Sequence, residues 1–327
     1  MSGRFAFGPD AARARALDQR MRDRLADSLR YILDRAEFHL RYSRADLASF
    51  LDRLGAAPVS AQVFGAYCDL VLDIESDRLD SAERRVAEIL AARSHVGGPL
   101  IIELRDPAQD PASDRYCRLV DADPGMPFRL VPPPAAIAAP CHTRIVAALA
   151  LLEAGYPALA DELRVLLREI VLAVGPAEPG MVVFDGVSAF MLWGAIVLNA
   201  EANQSVLDMA QALAHESGHN LLFGFSADGP LVENDDVGRY ESPLRRDPRP
   251  MDGIVHATYV TARMHQTVQR LLESGVLTTE QEAAAQAALA DHRRAFAEGI
   301  AVIDAHARFT PLGAAVMAGA RDHMARA

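Results

Sequence analysis

The chain has 327 residues, half of them hydrophobic, 24% charged and 6% aromatic. That composition excludes a disordered or fibrous protein and supplies apolar surface for one large domain or two ordinary ones. Its 33 basic and 44 acidic residues leave a net charge of −11, which argues against a nucleic-acid binder, because such a protein needs a basic face to neutralise phosphates.

Residues 10–92 carry a helical period. Leu25, Leu29, Ile32 and Leu33 recur at three- and four-residue spacing among Arg and Asp, and residues 45–54 and 81–92 repeat the style. Residues 99–104 then predict a strand and residues 116–120 another. Residues 106–114, with Pro107 and Pro111 and no period, predict a loop between them. Pro132, Pro133 and Pro134 exclude a helix or a central strand at that point. Helices are expected over 143–153 and 158–172, a break over 175–180, and two strands over 181–184 and 191–198. A helix from Asn203, as its cap, to about Phe223 follows. A polar loop over 226–250 leads to helices over 251–274, 278–307 and 313–327. The expected class is α+β, mainly helical, with a few central strands before a zincin-like metal helix and helical terminal regions. A helical N-terminal region, 1–95, and a metal-binding catalytic region, 96–327, are the expected divisions.

Cys68, Cys117 and Cys141 are too few and scattered for a disulfide frame and read as reduced thiols. The N-terminus alternates Arg and Asp without an apolar segment, so a secretion signal is not expected. The longest uncharged apolar run, 189–198, falls short of the roughly 20 residues that span a membrane. The expectation is a soluble cytoplasmic protein with neither nucleic acid nor membrane as partner.

The strongest chemical signal is His215-Glu216-Ser217-Gly218-His219, an HExxH. Residues four apart share one helical face, so two imidazoles can grip one metal ion, with Glu216 beside them as a base or a supporting partner. Val206, Leu207, Ala210, Leu213, Leu221 and Leu222 give the surrounding helix an apolar face. The competing reading is two surface histidines that fell four apart. A third ligand is expected. Leu222 and Phe225 stand where the extended metzincin pattern needs Gly and His, so that class is excluded. His256, near the start of the next helix and followed by Tyr259 and Arg263 on the same face, is the first candidate. Glu233, Asp235, Asp236 or Glu241 would instead complete a set of two histidines and a carboxylate. Arg245, Arg246 and Arg249 lie among prolines, and a stiff arginine loop suits bidentate binding of carboxylates or, equally, pairing with neighbouring acids. The strand over 191–198 is placed to offer an edge to an extended peptide. Trp193 either lines a pocket or fills the core.

The block HESGHN followed by YESPLRRDPRPMDGIVHATYVTARM, within residues 206–264, resembles the family of HExxH-motif peptide-modification proteins. These are iron- and 2-oxoglutarate-dependent peptide β-hydroxylases encoded with ribosomally made peptide natural products. The resemblance implies Fe(II) held by His215, His219 and His256. It implies 2-oxoglutarate held by Arg245, or by Arg249 or Arg263, and a precursor peptide as substrate, hydroxylated at a β-carbon. Trp193, Asn199 and Tyr259 are the expected substrate contacts. A different class remains open: three histidines with an open position also describe a zinc hydrolase, a metallopeptidase in which Glu216 is the general base. Oligomeric state is not readable.

Overall fold

The computed structural model describes residues 5–36, 39–120, 129–176, 184–242 and 248–327. The N-terminal period forms four helices: α1 (Ala11–Arg35), α2 (Arg44–Ala56), α3 (Ala61–Glu75) and α4 (Leu79–Ala91). Ser43 and Ser60 cap α2 and α3 by accepting the backbone N–H of Asp46 and Gln62. Strand β1 (Leu100–Glu103) follows. Residues 116–120 are not a strand: α5 runs Pro111–Val120, so the expected loop ends at residue 110. The start signal is Asp110, whose carboxylate accepts from the Ser113 N–H at 3.0 Å and the Ser113 hydroxyl at 2.6 Å, with Pro111 in the first turn.

Helices α6 (Ala135–Gly155) and α7 (Pro157–Leu166) come next. The helix expected to reach residue 172 stops six residues early, because residues 169–173 form strand β2 (Glu169–Ala173). Residues 181–183 lie outside the described segments. Strand β3 (Gly186–Val187) is short, and a single 3-10 turn, Phe190–Leu192, separates it from β4 (Ala195–Asn199). The expected strand over 191–198 is therefore halved at Gly194, whose φ of +89° breaks the extended backbone. The C-terminal third holds α8 (Val206–Phe225), α9 (Met251–Ser274), α10 (Thr279–His306) and α11 (Pro311–Arg326). The cap of α8 is Ser205, in a reciprocal box with Asp208, and not Asn203, which sits at φ +52°.

The described residues group into two compact units interleaved along the chain. One takes those within 14–138 and 164–202, the other those within 1–13, 139–163 and 203–327. The first holds a four-stranded mixed sheet in the order β1-β2-β4-β3. β1, β2 and β4 are parallel, and β3 runs antiparallel to β4. Val171, Ala173, Ala195 and Val197 project from one face into a core with Tyr116, Leu119, Leu130, Phe184 and Leu192. β4 is paired by β2 along its length and by β3 at Val197 and Leu198, so the edge expected to receive a peptide is occupied at those two residues. Asp18 is the polar hub of this unit, accepting from Arg22, Arg168 and the indole of Trp193.

In the second unit α9 packs against α8, α10 and α11. Its polar centre is Glu162, fully buried, which pairs with Arg13 at 2.8 Å and with Arg263. The two arginines reach on to the carbonyls of Ala6, Phe7 and Gly8, so the carboxylate ties residues 5–13 to α9. Burial alone would make all three groups costly, and mutual pairing offsets that cost. Among the described residues one helix, α6, is long and apolar enough to cross a membrane, which the length of uncharged runs did not anticipate. Ala138, Cys141, Ile145, Ala148 and Leu152 form a single fully buried stripe on it, the mark of a helix with one packed face.

Two outcomes follow from this unit. Glu162→Ala leaves two guanidinium groups buried without their carboxylate and is expected to cost about 3–5 kcal/mol in denaturant unfolding. His265 of α9, His292 of α10 and His323 of α11 are each pushed down to about 4, first by burial. Neighbouring His323, Arg293 and His292 add to the effect at His265, and Arg326, Arg270 and Arg263 at His323. A group lowered in the fold binds its proton more readily when unfolded. Stability is therefore fully present above pH 6.5 and declines as pH falls toward 4. Unfolding midpoints measured across that window are expected to drop, with a shallower slope for His323→Gln.

Candidate metal centre

Helix α8 is buried on nearly all sides. Leu207, Met209, Ala210, Leu213, Leu221, Leu222 and Phe225 are enclosed, and so are Glu216, Ser217 and Asn220. Its half-exposed positions after the first turn are Gln211, His215, His219 and Phe223, spaced by four. The two HExxH histidines thus occupy the one stripe that reaches solvent. His215 Nε2 and His219 Nε2 stand 3.2 Å apart. That is the separation of two imidazole nitrogens bound at about 2.0–2.1 Å to one tetrahedral metal ion. The pair therefore fits a metal.

Helix α9 brings His256 to the same place. Its ring stacks on that of His219, with centroids 5.4 Å apart, and the two Nδ1 atoms lie 3.2 Å from each other. What permits the approach is Gly218, inside the motif. A Cβ there would stand 3.0 Å from Cγ1 of Val260, one turn beyond His256. His256 thus meets the nitrogen of His219 that points away from His215. With the rings so placed, no group of three or more His, Cys, Asp or Glu converges on one point among the described residues. The three imidazoles are adjacent, and the packing of α8 against α9 sets that adjacency.

Two carboxylates border the histidines. Glu216, buried, places Oε1 3.8 Å from His215 Nε2, and Asp252, half-exposed in the first turn of α9, places Oδ2 3.7 Å from His256 Nε2. His256 is pushed down by burial, against an upward pull from Asp252, a shift that favours the neutral ring a metal ligand needs. Phe223 lies against both His219 and His256, at 6.4 and 5.6 Å between centroids, as an apolar wall. Neither Asp252 nor Phe223 was singled out by sequence. Both stood in the pattern, Asp252 four residues before His256 and Phe223 four after His219.

The other expected site residues fall elsewhere. Arg245 lies outside the described residues. Arg249 pairs its backbone with Tyr240 at 2.8 Å and packs its side chain near Gly253. Arg263 is buried and committed to Glu162 and the Phe7 carbonyl, so a dicarboxylate could engage it only by breaking that pair. Tyr259 is fully buried with its ring edge on Phe7, and burial pushes its hydroxyl up to about 12. Trp193 and Asn199 belong to the core of the sheet unit. Trp193 donates to Asp18, and Asn199 donates to the Phe184 carbonyl at 2.9 Å, closing the end of β4. These three are enclosed rather than presented to a substrate. Glu233, Asp235, Asp236 and Glu241 are exposed in the 226–250 loop, where Asp235 accepts the N–H groups of Val237 and Gly238. A cavity of about 610 Å³ in the same unit is lined by residues 5–8, α9 and α11, and not by the HExxH histidines.

No protein-family model matches the chain, and no curated protein is similar to it at a significant level.

Gly218→Ala is expected to wedge α8 from α9 and to lower stability by about 1–3 kcal/mol. Adding Val260→Ala should restore most of that loss. Unfolding curves of the single and double variants check both statements.

Proposed function

We propose that the protein is an Fe(II)- and 2-oxoglutarate-dependent hydroxylase acting on a β-carbon of a ribosomally made precursor peptide. The observation that carries the metal centre is the 3.2 Å approach of His215 Nε2 and His219 Nε2 on the solvent-reaching stripe of a buried helix, with His256 stacked beside them. The choice of reaction rests on the likeness of residues 206–264 to the HExxH peptide β-hydroxylases. Three neutral imidazoles would hold the metal through one face and leave the remaining positions to the keto acid and dioxygen. Iron with 2-oxoglutarate supplies the oxidising power to replace an unactivated C–H bond by C–OH.

The chain's own residues do the rest. His215 and His219 would hold the metal through Nε2. Phe223 keeps water from the open side and gives a peptide side chain an apolar surface to lie on. Of the two described arginines expected at the distal carboxylate of the keto acid, Arg249 is proposed ahead of Arg263, which Glu162 engages. The zincin-like arrangement of a metal helix after central strands is part of this proposal, as is a cytoplasmic setting, which three cysteines outside disulfides suit.

One observation favours a second reading. Glu216 lies 3.8 Å from the His215 nitrogen that would bind metal, where a general base for a zinc-bound water would stand. That describes a metallopeptidase.

Anaerobic addition of Fe(II) and then 2-oxoglutarate is expected to produce a visible metal-to-keto-acid charge-transfer band. The band should vanish in His215→Ala and in His256→Ala. Tight zinc, no keto-acid consumption and peptide cleavage that collapses in Glu216→Ala would replace the hydroxylase by the peptidase.

A further inference from the structure

The cavity of about 610 Å³ is walled by residues 5–8 and by one face each of two helices, with Gln266, Gln269 and Arg270 from α9 and Ala318, His323 and Arg326 from α11. Its volume is that of a small-molecule site. We propose that this cavity binds a small organic carboxylate, held by the guanidinium of Arg326 and the Nδ1–H of His323. Such a site is independent of the metal centre and of the reaction proposed above. The amides of Gln266 and Gln269 would meet polar groups in the rest of the ligand.

A buried neighbour sets the donor. His265 is fully enclosed, and its Nδ1 lies 3.2 Å from Nε2 of His323. Its own Nε2 is buried with no hydrogen-bond partner among the described residues. Burial first pushes both rings down to about 4, so at neutral pH each is uncharged and carries one hydrogen. On Nε2 of His265 that hydrogen would be a buried donor without an acceptor, which folded proteins avoid more strictly than an unused lone pair. It therefore sits on Nδ1 and is donated to His323 Nε2. The hydrogen of His323 is then on its Nδ1, the nitrogen left for the cavity that the ring lines. Phe7 lies flat on that ring, with centroids 5.3 Å apart at 24°, and so holds the donor in place. The charges fit an anion. Arg326 has no carboxylate partner among the described residues, whereas Arg270 pairs with Glu273 at 3.1 Å. After burial, Arg326, Arg270 and Arg263 all press down on His323 and Glu273 alone opposes them, so the field at that end is positive. A planar carboxylate can accept from a guanidinium and an imidazole N–H together. Asp322 and Glu273 on the same walls favour a single negative charge over a phosphate dianion.

The test uses the metal-free full chain and needs no turnover. Long-range proton–nitrogen spectra at neutral pH are expected to show His265 and His323 each with the hydrogen on Nδ1. Titration with lactate, a free acid, and with N-acetylglycine, a mimic of a peptide chain end, should shift the His323 ring signals saturably. N-acetylglycinamide, which lacks the carboxylate, should not. Arg326→Gln is expected to weaken binding about 10-fold. Ala318→Phe, which fills the cavity from an exposed position, should abolish it. Tighter lactate would assign the site to free acids and tighter N-acetylglycine to chain ends, and either order upholds it. A hydrogen on Nε2 of His323 would remove the donor and overturn the proposal. So would the absence of a saturable shift, or one that neither variant changes. Inorganic phosphate binding more tightly than both acids would overturn the choice of carboxylate.

Discussion

A carboxylate cut off from water has to find its cations, and Glu162 finds two. Arg13 closes on it from the N-terminal end of α1 and Arg263 from the middle of α9. The arginines also donate to carbonyls of residues 6–8. Each of the three side chains would be expensive to bury alone, and breaking any pair strands the others. The arrangement therefore pins α9 in register. Seven residues before Arg263, two turns back on the same face, stands His256. The buried ion pair and the histidine meeting on α8 are thus two ends of one constraint, with Gly218 and Val260 setting the spacing between.

Helix α8 shows how a buried element can carry a polar site. Its apolar positions enclose it on most sides, and only a stripe at four-residue spacing escapes. Placing both HExxH histidines there leaves their Nε2 atoms reachable while the backbone behind them is held by packing. Precision of this kind is what a metal or a reacting group requires, and it comes from the elements rather than from the loops. Glu216 and Asp252 flank the rings from opposite ends of the cluster, one from the buried side and one from the half-exposed side.

Much of the helical framework was legible because its period was strong. The run of Leu and Ile among Arg and Asp marked the N-terminal helices, and the bounds of α9 matched the expected 251–274. The failures have physical causes. In α5 the buried positions include Arg115, which pairs with Asp69 and Glu88, so an inward-facing charge hid the helical period and left Tyr116 to Val120 looking like a strand. In β2 all five residues are buried because β1 and β4 flank it, and a strand enclosed on both faces shows no alternation to separate it from a helix.

The sequence by itself determined the motif, the helix that carries it and the candidacy of His256, because four-residue spacing on a helix is local geometry that needs no partner. The tertiary structure decided everything that depends on a second element. It buried Trp193, Asn199 and Tyr259, which were expected as substrate contacts. It gave Arg263 to Glu162, a pairing across 101 residues that no local pattern announces. It brought His256 against His219 across 37 residues and turned a different nitrogen to each neighbour. Which atoms meet is set by how closely two helices pack, and Gly218 at their crossing leaves room for that approach beside Val260.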